Sequence, residues 1–393
     1  LSILLLVRNK TLFAFLGILV FTTCVKPFIP NFSSPITGYL VVEGLVNSGL
    51  GSTSIRLSRS TALTDTLIPP PELGALVTVE GNNGDVFSLA DQGNGTYLNA
   101  HLNLDHTISY RLHIKTKNGK EYYSDNQVPL KTSPIDSLGW TKDNTGVNIN
   151  LYSQGKTAPQ NYHISYTQVY EIVSLDYSKF IYQSLLDTVV ARDRSELPQL
   201  YTCWNTKASD SVLLVSTQSL QFPYPLKYKL VHIPMGTIPL SNLYSIQAEI
   251  YAMNNKAYTF FQALKTSSEP SSSLFNPLPG QAKGNIYNPK DASETVIGYV
   301  SFADLEQKRI FISNLQVYPW NYNPVCPISQ VVYLPDNTHH IDQKIKAINS
   351  DAFAPFDIID SVTSSRFTYY VAPISCLDCR VYGSPVKPDF WPN

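Results

Sequence analysis

Short segments of alternating apolar and polar residues dominate the chain after residue 36. Residues 39–44 (YLVVEG) are a β-branched run closed by glycine. Residues 54–58 set Ile55 and Leu57 on one face and Arg56 on the other, the two-residue period of a half-buried strand. Residues 75–80 repeat the pattern, and Gly81-Asn82-Asn83-Gly84 behind them supplies residues that reach positive φ in a turn. Residues 86–89, 93–97 and 109–115 continue the series, and Asn118-Gly119 marks a hairpin into 121–124. Short, evenly spaced strands predict an immunoglobulin-like or transthyretin-like β-sandwich over residues 36–131.

The run from Pro129 to Pro134 reads as a boundary. Beyond it, residues 135–393 form a larger β-rich domain, with strand patterns at 147–151, 162–169, 212–217, 227–233, 244–252, 295–302 and 309–315. Residues 177–194 fit a helix or a loop insertion equally well. One helix is predicted over 256–266, capped by Asn254 or Asn255, with Tyr258, Phe261, Ala263 and Leu264 near helical spacing. The fold class is therefore mainly β, with one or two short helices.

The first residues change the picture from globular to exported. Arg8 and Lys10 precede a short apolar run at 12–20, and Cys24 follows Phe21, Thr22 and Thr23. This is the order of a secretory signal over residues 1–23, and the run is shorter than the roughly 20 residues that span a bilayer. Translation from Leu1 and translation from Val7 both remain open, and a start at Val7 gives a conventional Val-Arg-Asn-Lys n-region. Cys24 stands where lipidation would occur, with acyl chains such as palmitate holding residues 24–35 as a tether. The other cysteines, Cys203, Cys326, Cys376 and Cys379, are an even set, which in an exported chain predicts two disulfides with three possible connectivities.

Charged residues are 15% of the chain and the net charge is −1, so no basic stripe exists for a nucleic-acid partner. The motifs of serine hydrolases, dinucleotide sites, phosphate loops, zinc helices and EF-hands are absent from the sequence, which predicts no enzyme, cofactor or metal. His339 and His340, followed by Asp342, are adjacent residues that would point to opposite faces of a strand. Trp140, Trp204, Trp320 and Trp391 are the candidate ligand-contact aromatics, with core packing as the competing role.

The ordered series Val41-Val42-Glu43-Gly44, Leu57-Ser58-Arg59-Ser60, Gly74-Ala75, Tyr123-Ser124, Pro134-Ile135-Asp136-Ser137, Cys203-Trp204, Gly284-Asn285-Ile286, Gly298-Tyr299, Cys376-Leu377-Asp378-Cys379 and Lys387-Pro388-Asp389-Phe390-Trp391 resembles a family of Bacteroidota outer-membrane lipoproteins known as domain-of-unknown-function family 4249. The resemblance runs from Cys24 to the C-terminus. It implies a lipoprotein encoded beside TonB-dependent, SusC-like receptors, hence a non-catalytic accessory that assists capture or uptake of an unidentified ligand. The alternative is a free-standing surface adhesin or glycan-binding module. Val25-Lys26-Pro27 lacks the acidic residues of the usual surface-export signal, which leaves the cell-surface and periplasmic faces both open.

Overall fold

Alternating residues become paired strands wherever one face can be buried. β1 (Leu40–Asn47) and β2 (Thr53–Arg59) run antiparallel, with Val42 opposite Leu57. β3 (Leu76–Gly81), β4 (Val86–Asp91), β5 (Thr96–Asn99), β6 (Tyr110–Lys115) and β7 (Glu121–Ser124) follow. β4 serves two sheets: residues 86–89 pair with β3, and Ala90 and Asp91 pair with β5. The strand path thereby folds into a sandwich whose inward residues, among them Val42, Ile55, Leu57, Val79 and Leu112, share one core. The computed structural model describes residues 38–61, 68–158, 160–183, 188–221, 224–268, 283–333, 352–363 and 366–392. Cys24, the signal and tether segments, and His339, His340 and Asp342 lie outside the described residues.

The second unit contains β8 (Ser137–Lys142), β9 (Gly146–Ser153), β10 (Asn161–Val173), β11 (Phe180–Gln183), β12 (Thr188–Ala191), β13 (Thr202–Ala208), β14 (Leu213–Ser216), β15 (Leu226–Pro234) and β16 (Leu243–Met253). The ambiguous stretch around 177–194 carries the β11–β12 hairpin rather than a helix. After a helix at Asn255–Ser268 come β17 (Ile286–Tyr287), β18 (Val296–Ile297), β19 (Ser301–Ala303) and β20 (Leu305–Ser313). A sheet of order β15-β9-β8 faces one of order β13-β10-β16-β20, with β14 also on β10. Even-numbered residues of β10, β16 and β20, such as Ile164, Ile246, Ile250 and Ile312, point into the shared core with Val147, Ile149 and Leu151 of β9.

Three short strands return to the first sandwich from far along the chain. β17 pairs with β7, while β18 and β19 pair parallel with β1. A parallel pair needs a long crossover, and here it runs through the rest of the first sandwich and most of the second unit. Glu294 secures this return: its carboxylate accepts from Lys120 Nζ at 2.8 Å, Tyr122 Oη at 2.9 Å and Asn288 Nδ2 at 2.6 Å. Burial pushes the Glu294 carboxyl up, but these donors outweigh it and leave the group below the usual carboxylate range.

Odd-numbered residues of β10, β16 and β20, with even-numbered ones of β13, form the outer face, which is covered at both ends. At one end the helix Asn255–Ser268 lays Phe261 against His163, with 5.3 Å between ring centroids, and His163 stacks on Tyr251 at 5.0 Å. At the other end the C-terminal tail sets Trp391 against Trp204 at 6.4 Å and Phe311 at 5.6 Å, and Phe390 lies under the Arg309 guanidinium at 3.5 Å. The last strands, β21 (Ser329–Tyr333), β22 (Phe353–Thr363) and β23 (Arg366–Pro373), make a small separate sheet. No helix among the described residues is long and apolar enough to cross a membrane.

Candidate functional site: a cleft where the two units meet

The helix Asn255–Ser268 starts where Asn254 caps it: the Ala257 N–H donates to Asn254 Oδ1 at 2.8 Å. Its apolar face, Ala257, Phe260 and Leu264, packs with Met253 and Tyr299 rather than with the main core. The capping residue also joins the two units. Tyr299 Oη donates to Asn254 Oδ1 at 3.0 Å, and Asn254 Nδ2 donates to Gln127 Oε1 at 3.2 Å. Gln127 Nε2 in turn donates to the Val300 carbonyl at 2.8 Å. Asn285 braces the same peptide from both sides, accepting from Val300 N–H at 2.9 Å and donating to Val300 O at 2.8 Å. Burial raises the Tyr299 phenol, and its hydrogen bond to Asn254 offsets part of that rise.

This network frames an open cleft of about 840 Å³. One wall is the helix, with Lys256, Phe260 and Ala263. The other is Asp125 from the end of the first sandwich and the stretch Lys283 to Tyr287. Backbones approach closely below it. A Cβ on Gly284 would sit 1.9 Å from the Gly298 carbonyl, and one on Gly298, at φ +130°, would sit 2.0 Å from the Val42 carbonyl. Only glycine permits three chain segments to stack so tightly. A smaller opening of about 330 Å³ continues past Asn126, Gln127 and Asn254.

The residues singled out from sequence lie elsewhere. Trp320 is 2% exposed and donates its indole N–H to the Thr237 carbonyl at 2.7 Å, so it is core and not a ligand contact. Trp391 is also buried, as the anchor of the C-terminal tail. Trp204 is half-buried against it, with its indole nitrogen enclosed. Trp140 packs at the margin of the second core. The four cysteines form two bridges, Cys203–Cys379 and Cys326–Cys376, with Cα separations of 5.4 and 6.0 Å. Cys376 and Cys379 therefore do not pair with each other, and the Cys-x-x-Cys pair ties one point of the chain to β13 and to the segment before β21. Lys256, Lys283, Phe260 and Tyr287 were not singled out by sequence pattern. The close glycines Gly284 and Gly298 were the one sequence signal beside them.

Two β-sandwich units that share strands and enclose a cleft at their junction define a mainly β fold among the described residues. The chain belongs to the family described as Domain of unknown function (DUF4249), whose model matches residues 25–309. That span includes every residue lining the cleft and ends before Cys326, Cys376, Cys379 and the C-terminal tail. No curated protein matches. Among solved structures, a two-domain fibronectin type III segment from chicken tenascin is similar at 11% identity and a TM-score of 0.17, over 56% of this chain and 91% of that one. The fold class rests on the strand pairing and not on that likeness.

Proposed function

We propose that this chain is a non-catalytic, lipid-anchored capture protein of the outer membrane that docks on a TonB-dependent, SusC-like transporter and holds a ligand in the junction cleft. The observation that carries the reading is the cleft itself. Segments distant in sequence converge on it, and a buried amide network fixes their spacing. A pre-formed concave site with cations and rings on its walls suits capture of a small ligand. The two disulfides support export, because such bridges persist in oxidising compartments. Cys24 would supply the anchor to the membrane.

The test uses the epitope-tagged full chain in native membranes. Cross-linking and tag purification should recover an outer-membrane barrel. Recovery of the tagged chain with no barrel would overturn the docking. Cys24→Ala should move the chain out of the membrane fraction, and retention there would overturn the anchor.

A further inference from the structure

The polar groups around the cleft fall into two sets. The neutral ones are already engaged within the protein. Asn285 uses both ends of its amide on Val300. The Asn255 side-chain oxygen accepts from Asn161 Nδ2 at 2.8 Å and from Gln218 Nε2 at 2.7 Å. The Thr259 hydroxyl donates to the Asn255 carbonyl at 2.9 Å, and the Tyr299 hydroxyl donates to Asn254. A neutral sugar needs many donors and acceptors aimed at its hydroxyls, and this lining has committed most of its own.

The second set is charged and only loosely engaged: Lys283, Lys256 and Asp125. Lys283 is exposed and has no ion-pair partner among the described residues. Lys256 reaches Asp125 only at 3.9 Å, with side chains 80% and 46% exposed, a loose and well-screened pair. The same lining carries apolar groups, Phe260, Ala263 and Ile286, with Tyr287 45% exposed. The cleft thus offers hydrocarbon contact and positive charge, with few unspent neutral hydrogen-bonding groups.

We propose that the cleft binds an amphiphilic carboxylate, with a hydrocarbon body along Phe260, Ala263 and Ile286 and its anionic head at Lys283, with Lys256 as the second cation. The proposal rests on the cleft being the ligand site, and it does not depend on docking to a transporter. Burial of the body supplies non-directional affinity. The charge-assisted contact to Lys283 selects the head group.

The test is calorimetric titration of the full chain with dodecanoate below its micelle-forming concentration. Dodecyl maltoside serves as a neutral amphiphile with the same body, acetate as a head without a body, and maltoheptaose as a neutral glycan. Saturable binding of one dodecanoate is expected, with acetate and maltoheptaose silent and dodecyl maltoside at least roughly tenfold weaker. Lys283→Gln should weaken dodecanoate roughly tenfold while leaving the melting temperature unchanged. Ala263→Trp, which fills the apolar wall, should abolish binding in a chain that still melts cooperatively. Equal affinity for dodecyl maltoside would overturn the proposal. So would displacement by maltoheptaose, an unchanged affinity in Lys283→Gln, binding retained in Ala263→Trp, or no binding at all. If dodecanoate fails to bind while a barrel still co-purifies, the ligand class falls and the docking stands; the reverse result separates them the other way.

Discussion

Removing the Cys203–Cys379 bridge tests how the C-terminal part is held on the second unit. The two cysteines are 176 residues apart, and those of the inner bridge, Cys326–Cys376, are 50 apart. If a cross-link acts by restricting the unfolded chain, loop length sets its worth: about 5 kcal/mol for the outer bridge and about 4 kcal/mol for the inner one at 25 °C. The inner bridge lies within the outer loop and shortens its effective length, but the dependence is logarithmic and changes the outer value by only a few tenths of a kcal/mol. Cys203 and Cys379 are fully buried, so paired alanines also leave a small void. Cys203→Ala with Cys379→Ala should therefore cost at least as much as Cys326→Ala with Cys376→Ala. Urea unfolding followed by tryptophan fluorescence reads both, because Trp204 and Trp391 report on the tail directly. A loss below about 1 kcal/mol for the outer pair would refute the loop-entropy argument. A non-reduced peptide map linking Cys376 to Cys379 would refute the pairing itself.

Further perturbations probe the junction and the buried ring beneath the helix. Gly298→Ala forces a methyl onto the Val42 carbonyl at a φ of +130° and should destabilise by about 2–4 kcal/mol in urea unfolding. Asn254→Ala removes the helix cap and leaves Tyr299 and Gln127 short of a partner, for about 2 kcal/mol in the same assay and faster amide exchange at Ala257. His163 is held neutral by burial, its imidazole pulled from 6.5 down to about 4, with Nδ1 enclosed and without a partner among the described residues. Between those two values the unfolded chain binds a proton that the folded chain refuses, so stability should fall as pH drops from 6.5 towards 4. The loss should level off below that, at about 3 kcal/mol in all. His163→Phe should flatten that slope in unfolding curves taken across the same range.

Much of the fold is legible because strand alternation is a local signal. β1, β2, β3 and β6 follow from runs in which every second residue must be buried, and the helix at 255–268 follows from a capping asparagine and helical spacing. The stretch 295–302 shows where that logic stops. It reads as one strand, yet Gly298 breaks it into β18 and β19, which both lie on β1 with the bend held against Val42. A single-strand reading assumes that neighbouring residues share one backbone conformation, and a glycine at φ +130° does not. The disulfide pairing is not legible for a similar reason, since spacing along the chain carries no information about which segment each cysteine reaches.

The cleft was less legible than the fold, and the tryptophans show why. A tryptophan is weighed as a ligand contact because it offers a large ring with a polar edge, but the same ring gains most when fully buried. Trp320 satisfies its indole on a backbone carbonyl and disappears into the core. The side chains left to line the cleft are ordinary in sequence: Lys256, Phe260, Lys283 and Tyr287, set opposite Asp125 at the end of the first sandwich. Their meeting depends on β17, β18 and β19 crossing back to the first sandwich, a non-local event that no window of sequence reports. What the sequence does carry is the cost of that crossing. Gly284 and Gly298 stand where backbones approach too closely for any side chain, and each is followed by a residue that lines the cleft, Asn285 and Tyr299. Glycine followed by a polar or aromatic residue, twice within sixteen positions, marks the place where the chain is pressed against itself. The residues beside such a seam are the ones positioned to face whatever the seam encloses.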